Sequence, residues 1–192
     1  MNVIEAIRTR RTTKLYRPDP VPRELIEQVL EAAVWAPNHR LTEPWEFVVV
    51  QGETLEQLAQ LRRQMVTEYL SAQRERPATP EQIVREGEDA YRKAIAAPVT
   101  VVVHIAQHPD PAIREEDHLA TAAAIQNMML ATHALGLAAF WSTNNLVRYP
   151  RAYALLGIPP ERRIVGIVQL GYAAQQREQR RTPAAARTRW LD

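Results

Sequence analysis

Apolar positions along the 192 residues fall into two kinds of pattern. Four short runs, at 45–50, 99–105, 138–142 and 163–170, are apolar or β-branched and are bounded by Pro, Gly or polar clusters. Such runs predict strands, and the unbroken apolar character of the first two predicts burial on both faces. Between them the apolar residues recur three and four apart, which predicts helices. Helices are expected at 2–10, about 22–35, 53–76, 80–95, 115–135 and 150–156. Pro18, Pro20 and Pro22 break the chain after the first helix into an extended arm, because each proline fixes φ and disfavours helix before it. Pro22 suits the first position of the following helix, and Gly136 and Gly157 suit helix C-termini.

The 115–135 segment is different, since Leu119 to Ala134 is apolar or small nearly all round. A helix apolar on every side is expected to be buried on every side, against its own sheet and against a partner subunit. The last twenty residues, 173–192, are polar and Arg-rich without apolar period, so they cannot form a core of their own and are expected to lie across another surface. No repeat or linker divides the chain. A single domain over 1–192 is therefore expected, α+β, with a small sheet of four or five strands between helices on both faces.

Composition narrows the chemistry by exclusion. There is no cysteine, hence no disulfide framework, thiolate metal site or Cys nucleophile. The six glycines are too scattered for a GxGxxG or a Walker loop. HExxH and GxSxG are absent, and His108 and His118 lack carboxylates at ligand spacing, so no metal site is expected. His104 and His133 read as structural histidines in apolar segments. No run reaches the ~18 apolar residues of a membrane helix. The N-terminal MNVIEAIRTRR lacks the order of a signal peptide, which makes the cytoplasm the expected compartment.

The near-neutral net charge of +2 conceals an uneven distribution. Residues 1–23 carry net +4, the body 24–172 carries net −5, and 173–192 carry net +3. Of the 24 basic residues 22 are Arg, the side chain suited to bidentate recognition of phosphate and carboxylate. The acidic body argues against a continuous nucleic-acid-binding face. Three segments could carry chemistry. Arg10, Arg11, Thr12, Thr13 and Lys14 offer a phosphate cradle. The loop 37–44, fixed by prolines at both ends, carries His39 into a strand. Trp141, Ser142, Thr143 and the following asparagines end another strand in polar groups. No acid–base dyad stands out, so any reaction is expected to rest on a bound cofactor rather than on a catalytic side chain.

The order of these pieces resembles the FMN-dependent nitroreductase family, in particular its small bacterial members. The resemblance is carried by an Arg-Arg-Thr after the first helix, Pro-Val-Pro and a helix ending in Ala-Pro, and Ala36-Pro-Asn-His-Arg leading to Pro44-Trp-Glu-Phe. It continues through the Ala-rich helix ending at Gly136, the Gly-Leu-Ala-Ala-Phe-Trp strand, and Ile164 to Gly171. It implies a three-layer α/β/α sandwich with a small mixed, mostly antiparallel sheet, assembled as a homodimer with FMN at the subunit interface. It implies hydride transfer in two stages, from NADH or NADPH to the flavin and on to a small-molecule acceptor such as a nitroaromatic or quinone. Enal reduction, dehalogenation, flavin destruction or flavin binding without turnover are the alternatives on the same fold. Carried over by position, Arg10, Arg11, Thr12 and Lys14 would meet the phosphate and ribityl chain. His39 would lie on the loop approaching the flavin. Trp141, Ser142 and Thr143 would meet the flavin from the other subunit, and Arg180 or Arg181, preferably Arg181, would close on the phosphate. Glu43 stands where a neutral amide is usual in the family, and the polar 66–93 segment is expected to shape substrate access.

Overall fold

The computed structural model describes residues 1–175 and 180–191. Helix α1 (Val3–Thr9) starts from a capping box in which the Asn2 side chain accepts from the Glu5 amide at 2.9 Å. The extended arm follows, then α2 (Arg23–Val34), β1 (Trp45–Val50), α3 (Gly52–Ser71), α4 (Pro80–Ala94) and β2 (Val99–Ile105). The chain continues through α5 (Pro111–Ala134), β3 (Ala138–Ser142), α6 (Pro150–Leu156) and β4 (Arg163–Gly171). The four strands form one sheet in the order β1-β2-β4-β3, every pairing antiparallel.

Alternation along the strands divides the core into two layers. Val99, Val101, Val103, Val168 and Leu170 face α2 and α5, whose Val29, Ala33, Ala124, Ile125 and Met128 are buried against them. Val50, Val102, Ile164 and Ile167 face α3 and α6 through Leu55, Leu58 and Ala152. The result is the expected α+β sandwich with helices on both faces. No helix is long and apolar enough to cross a membrane among the described residues.

Three boundaries and two burials differ from the sequence expectation. Strand β1, expected to be buried on both faces, lies at the edge of the sheet with Glu46 and Val49 exposed. Helix α5 begins at Pro111 rather than 115, because Asp110 caps it by accepting from the Ala112 amide at 2.8 Å and Pro111 occupies the first turn. Helix α3 stops at Ser71, before the polar 73–76 stretch and the break imposed by Pro77. Gly136 lies one residue beyond the α5 C-cap, at φ 76°, where the Leu137 amide donates to the Thr132 carbonyl at 2.9 Å. Helix α5 is not buried all round in the single chain: Leu119, Gln126 and Ala134 form an exposed stripe.

A polar latch closes one end of the sheet. The Arg162 Nε donates to His104 Nδ1 at 2.9 Å, and its other arm pairs with Glu46, which lies opposite His104 in the β1–β2 register. His104 is only 4% exposed. Burial first, then the neighbouring Arg162, hold the imidazole below its ordinary 6.5, against a weaker pull from Glu46. The folded form therefore holds a neutral ring. Its contribution to stability is complete above about 6.5 and is lost as the pH falls from there through the lowered value, because the unfolded chain binds the proton more readily. Urea midpoints of the wild type should drop on acidification through this range. His104→Gln, which keeps an acceptor for Arg162, should flatten that dependence; an unchanged slope in the variant would show that His104 does not titrate with unfolding.

Candidate functional site

After α1 the arm runs along the outer edge of β3. Thr12 pairs with Ala139 in parallel register, and the Thr13 amide donates to the Ala139 carbonyl at 3.2 Å. Further along, Tyr16 pairs with Ala173, and the Arg17 amide donates to the Tyr172 carbonyl at 2.9 Å. The buried Tyr16 hydroxyl donates to the Thr13 carbonyl at 2.7 Å and fixes the bend. The arm thus continues the sheet past β3, and it brings residues 10–14 beside 138–142 within one chain. A second copy is not needed for these two segments to meet.

At the start of the arm lies a cleft of about 530 Å³ lined by Thr9, Arg10, Arg11, Thr13 and His133, with Gly136 to Ala139 behind them. The Arg11 Nη1 donates to the Arg8 and Arg10 carbonyls at 2.7 and 2.8 Å, yet its Nε is buried without a partner among the described residues. Arg10 Nη1 is buried and unpartnered in the same sense. No carboxylate lies within ion-pair distance of either guanidinium among the described residues. Burial, then Arg181, then Arg11 hold Arg10 below its ordinary range. The tail therefore returns one positive charge to the two on the arm. Of the tail expected over 173–192, residues 176–179 and 192 lie outside the described residues; Arg180 and Arg181 are both exposed, and 184–187 form a short 3-10 turn.

His133 joins the same cleft. Its Nε2 lies 2.8 Å from the Thr9 hydroxyl, and burial, followed by Arg10 and Arg11, lowers its pKa. The sequence reading assigned His133 to structure alone, and only its place one helical turn before Gly136 could have pointed to the arm. Lys14 takes a different course: its Nζ sits 4.7 Å above the Phe140 ring.

The strand end is built from three distinct environments. Trp141 packs against Gly166 and Ile125, and its indole Nε1 is buried without a partner among the described residues. A Cβ on Gly166 would fall well inside contact distance of that nitrogen, so glycine is required for the close approach. The Ser142 hydroxyl accepts from Asn144 Nδ2 at 3.0 Å, and Asn144 in turn caps the following turn through the Leu146 amide at 3.0 Å. Thr143 is exposed and lines a separate cleft.

His39 stands apart from the basic cleft. Its loop holds Arg40, Leu41 and Glu43 at φ of 61°, 52° and 43°, a left-handed conformation costly for side chains other than glycine. Two adjacent acids on α5 hold the loop in place. His39 Nδ1 lies 2.9 Å from Glu116 Oε2, and the Thr42 hydroxyl donates to the buried Asp117 at 2.7 Å. The Glu43 amide donates to Asn38 Oδ1 at 3.1 Å. The loop thus brings His39 against α5, not against Arg10 or Arg11.

The chain matches the family described as the Nitroreductase family over residues 7–172. A Bacillus subtilis (strain 168) protein provisionally named NAD(P)H nitroreductase YfhC is 26% identical over 181 residues, covering 93% of this chain and 89% of that protein. Among solved structures, a nitroreductase-like family protein from Bacillus cereus superposes with a TM-score of 0.82 at 27% identity, covering 100% of this chain and 97% of that one. A nitroreductase with bound FMN from Bacteroides fragilis NCTC 9343 shares the fold at a TM-score of 0.75 and 24% identity, covering 100% of both chains.

The strained loop yields a test. Asp117→Ala removes the acceptor of the Thr42 hydroxyl and should cost about 1–3 kcal/mol, seen as a lower Tm and faster proteolysis within 38–43. Asp117→Asn, which keeps an acceptor, should recover most of the loss. Equal losses in both variants would mean that the Thr42 contact does not hold the loop.

Proposed function

The chain belongs to the nitroreductase family, and from that membership we propose that it is an FMN-dependent NAD(P)H oxidoreductase, active as a homodimer, that reduces small nitroaromatic, quinone or similar acceptors. The observation that carries the cofactor assignment is the cluster of Arg10, Arg11 and Arg181. Two of its members have buried guanidinium nitrogens without partners, and although Glu5 also lines the cleft, no carboxylate lies within ion-pair distance of Arg10 or Arg11 among the described residues. Buried cations left in this state are stabilised by an anion, and a phosphate monoester meets both the charge and the hydrogen-bonding demand. The FMN found in the fold neighbour from Bacteroides fragilis carries such a group.

In this reading Arg10, Arg11 and Arg181 hold the phosphate, while Thr12 and Lys14 face the polar ribityl chain. Trp141, Ser142 and Thr143 border the ring system where β3 ends, and Gly166 lets the Trp141 indole lie flat against β4. His39 approaches from its loop, which α5 holds at a distance from the same chain's arm. FMN supplies two-electron redox chemistry between a reduced nicotinamide and the acceptor. The protein orients the reactants and excludes water, and no side chain forms a covalent bond.

The homodimer is supported by apolar surface left open on one side. Val3, Ile4 and Ile7 of α1 are exposed, as are Trp35 at the end of α2 and Leu119 on the α5 stripe. Met1, Val3, Trp35, Leu130 and Ala134 line a shallow apolar groove of about 360 Å³ there. Continuous apolar surface of this kind marks a protein–protein contact.

The visible spectrum of the purified protein tests the cofactor and the donor together. A yellow protein bleached by NADH or NADPH is expected, and a colourless protein that ignores added FMN would overturn the proposal. Arg10→Gln/Arg11→Gln should weaken FMN binding at least about tenfold, the loss expected from removing charge-assisted hydrogen bonds. The assembly is tested separately: Ile4→Asp/Trp35→Asp should shift the protein from dimer to monomer in sedimentation, whereas an unchanged dimer would place the interface elsewhere.

A further inference from the structure

A cleft of about 740 Å³ lies apart from the basic cleft of the arm. It opens at the other end of β3, some four residues beyond the Thr12–Ala139 pairing, or roughly 13 Å at the rise of a strand. Two parts of the fold supply its cations. Arg148 comes from the turn after β3, and Arg162 and Arg163 from the entry to β4. Arg162 is held in place by His104 and Glu46, as described above. Arg148 and Arg163 have no carboxylate within ion-pair distance among the described residues. Glu161 is the one acidic residue on the lining.

Two further groups on the lining are short of partners. His118 Nδ1 bonds the Arg114 carbonyl at 2.6 Å, which places the ring proton there, and its Nε2 is buried with no partner among the described residues. Gln107 Nε2 is also buried and unpartnered. Buried polar nitrogens of this kind are rare in folded proteins unless a water or ligand completes them. Val147, Pro150, Pro160, Ile164 and Val165 give the cleft an apolar wall, beside the hydroxyls of Thr143 and Tyr153. A fixed guanidinium, two free ones and the Gln107 amide donor beside an apolar wall match a ligand with an oxyanion at one end and a carbon skeleton at the other, while His118 Nε2, an acceptor in this tautomer, suits a water or a ligand hydroxyl.

We propose that this cleft is a second anion site, distinct from the arm cluster, that binds the oxyanion of a small organic acid or phosphate ester on an apolar stem. Thr143 belongs both to this cleft and to the strand end expected at the flavin, so an anion bound here lies beside that segment. The site stands on its own geometry and does not depend on the flavin reading.

Titration calorimetry on the purified protein, with benzoate, phenyl phosphate and the neutral isostere benzamide, tests the proposal without turnover. Benzoate or phenyl phosphate should bind at least about tenfold more tightly than benzamide, the margin of one charge-assisted bidentate contact. The tighter of the two identifies carboxylate or phosphate as the natural head group. Arg148→Gln/Arg163→Gln changes two exposed, unpaired side chains, so the fold should persist by circular dichroism while the anion preference is lost. Arg10→Gln/Arg11→Gln should leave this binding unchanged. Equal binding of benzamide and benzoate, or full anion binding by the Arg148/Arg163 variant, overturns the site. Failure to take up FMN alongside intact benzoate binding overturns the flavin assignment instead.

Discussion

The pairing of the N-terminal arm with the free edge of β3 is the contact from which the rest of the molecule's chemistry follows. A terminal strand of a sheet carries unsatisfied amides and carbonyls that must be paired, covered or charged. Here Thr12 and Thr13 meet β3 at Ala139, and Leu15, Tyr16 and Arg17 pair with Tyr172, Ala173 and Ala174 just beyond the end of β4. The prolines that follow keep the arm extended and prevent a helix from competing with the pairing. Because the register is fixed by backbone bonds, Arg10 and Arg11 are delivered to one place at the beginning of β3, and Lys14 is delivered over Phe140. Were the arm free, the same basic residues would be a solvated cluster with no geometry.

Delivering them together has an electrostatic cost. Arg10 is depressed by burial and by two like charges, and His133 is depressed by burial and the same arginines. Glu5 opposes the arginines only weakly at His133 and makes no ion pair with either of them among the described residues, and buried like-charge clusters persist in folded proteins where a ligand of opposite sign completes them. The cost is borne by a part of the fold with large reserves elsewhere, since β2 is buried along its whole length between two helical layers. The stable centre and the strained periphery are thus largely separate: the sheet core is mostly apolar, with Thr100, His104 and Gln169 as its buried polar residues, while the like-charge cluster and the left-handed backbone lie at the start of β3 and in the loop before β1.

How far the sequence reveals this depends on the range of the interaction concerned. β1, β2 and β3 appear at their expected boundaries, because burial and β-branching are local properties of short runs. The start of α5 is also local, in Asp110-Pro111, but the first regular apolar spacing lies a turn later, so the cap and not the apolar period marks it. The proximity of Arg10, Arg11 and Arg181 was legible as two basic ends, although their convergence on one cleft required the tertiary path of both termini. His133 was missed because an apolar helix normally buries such a residue, and only the arm's docking turns it toward arginines. The left-handed backbone at Arg40, Leu41 and Glu43 could not be read from those residue types, which disfavour it. It exists because Asn38, Glu116 and Asp117 supply the contacts that hold it.

The all-round apolar character of α5 is where sequence and single-chain structure diverge most, and the divergence is informative. One face of the helix is buried exactly as far as its own sheet and α2 can reach, through Ala120, Ala124, Ile125 and Met128. The opposite stripe keeps Leu119 and Ala134 exposed and Ala122 only half-buried. A stripe that met only water would have no reason to be so poor in charge, since charged residues cost a helix nothing on a solvated face. The exposed apolar side of α1 and Trp35 border the same region, around the groove they share with Leu130. In the proposed homodimer this is the surface that is covered, by an interface that reaches across α1 and α5 together. A second copy, presenting the same two helices, satisfies that requirement by symmetry with no further element.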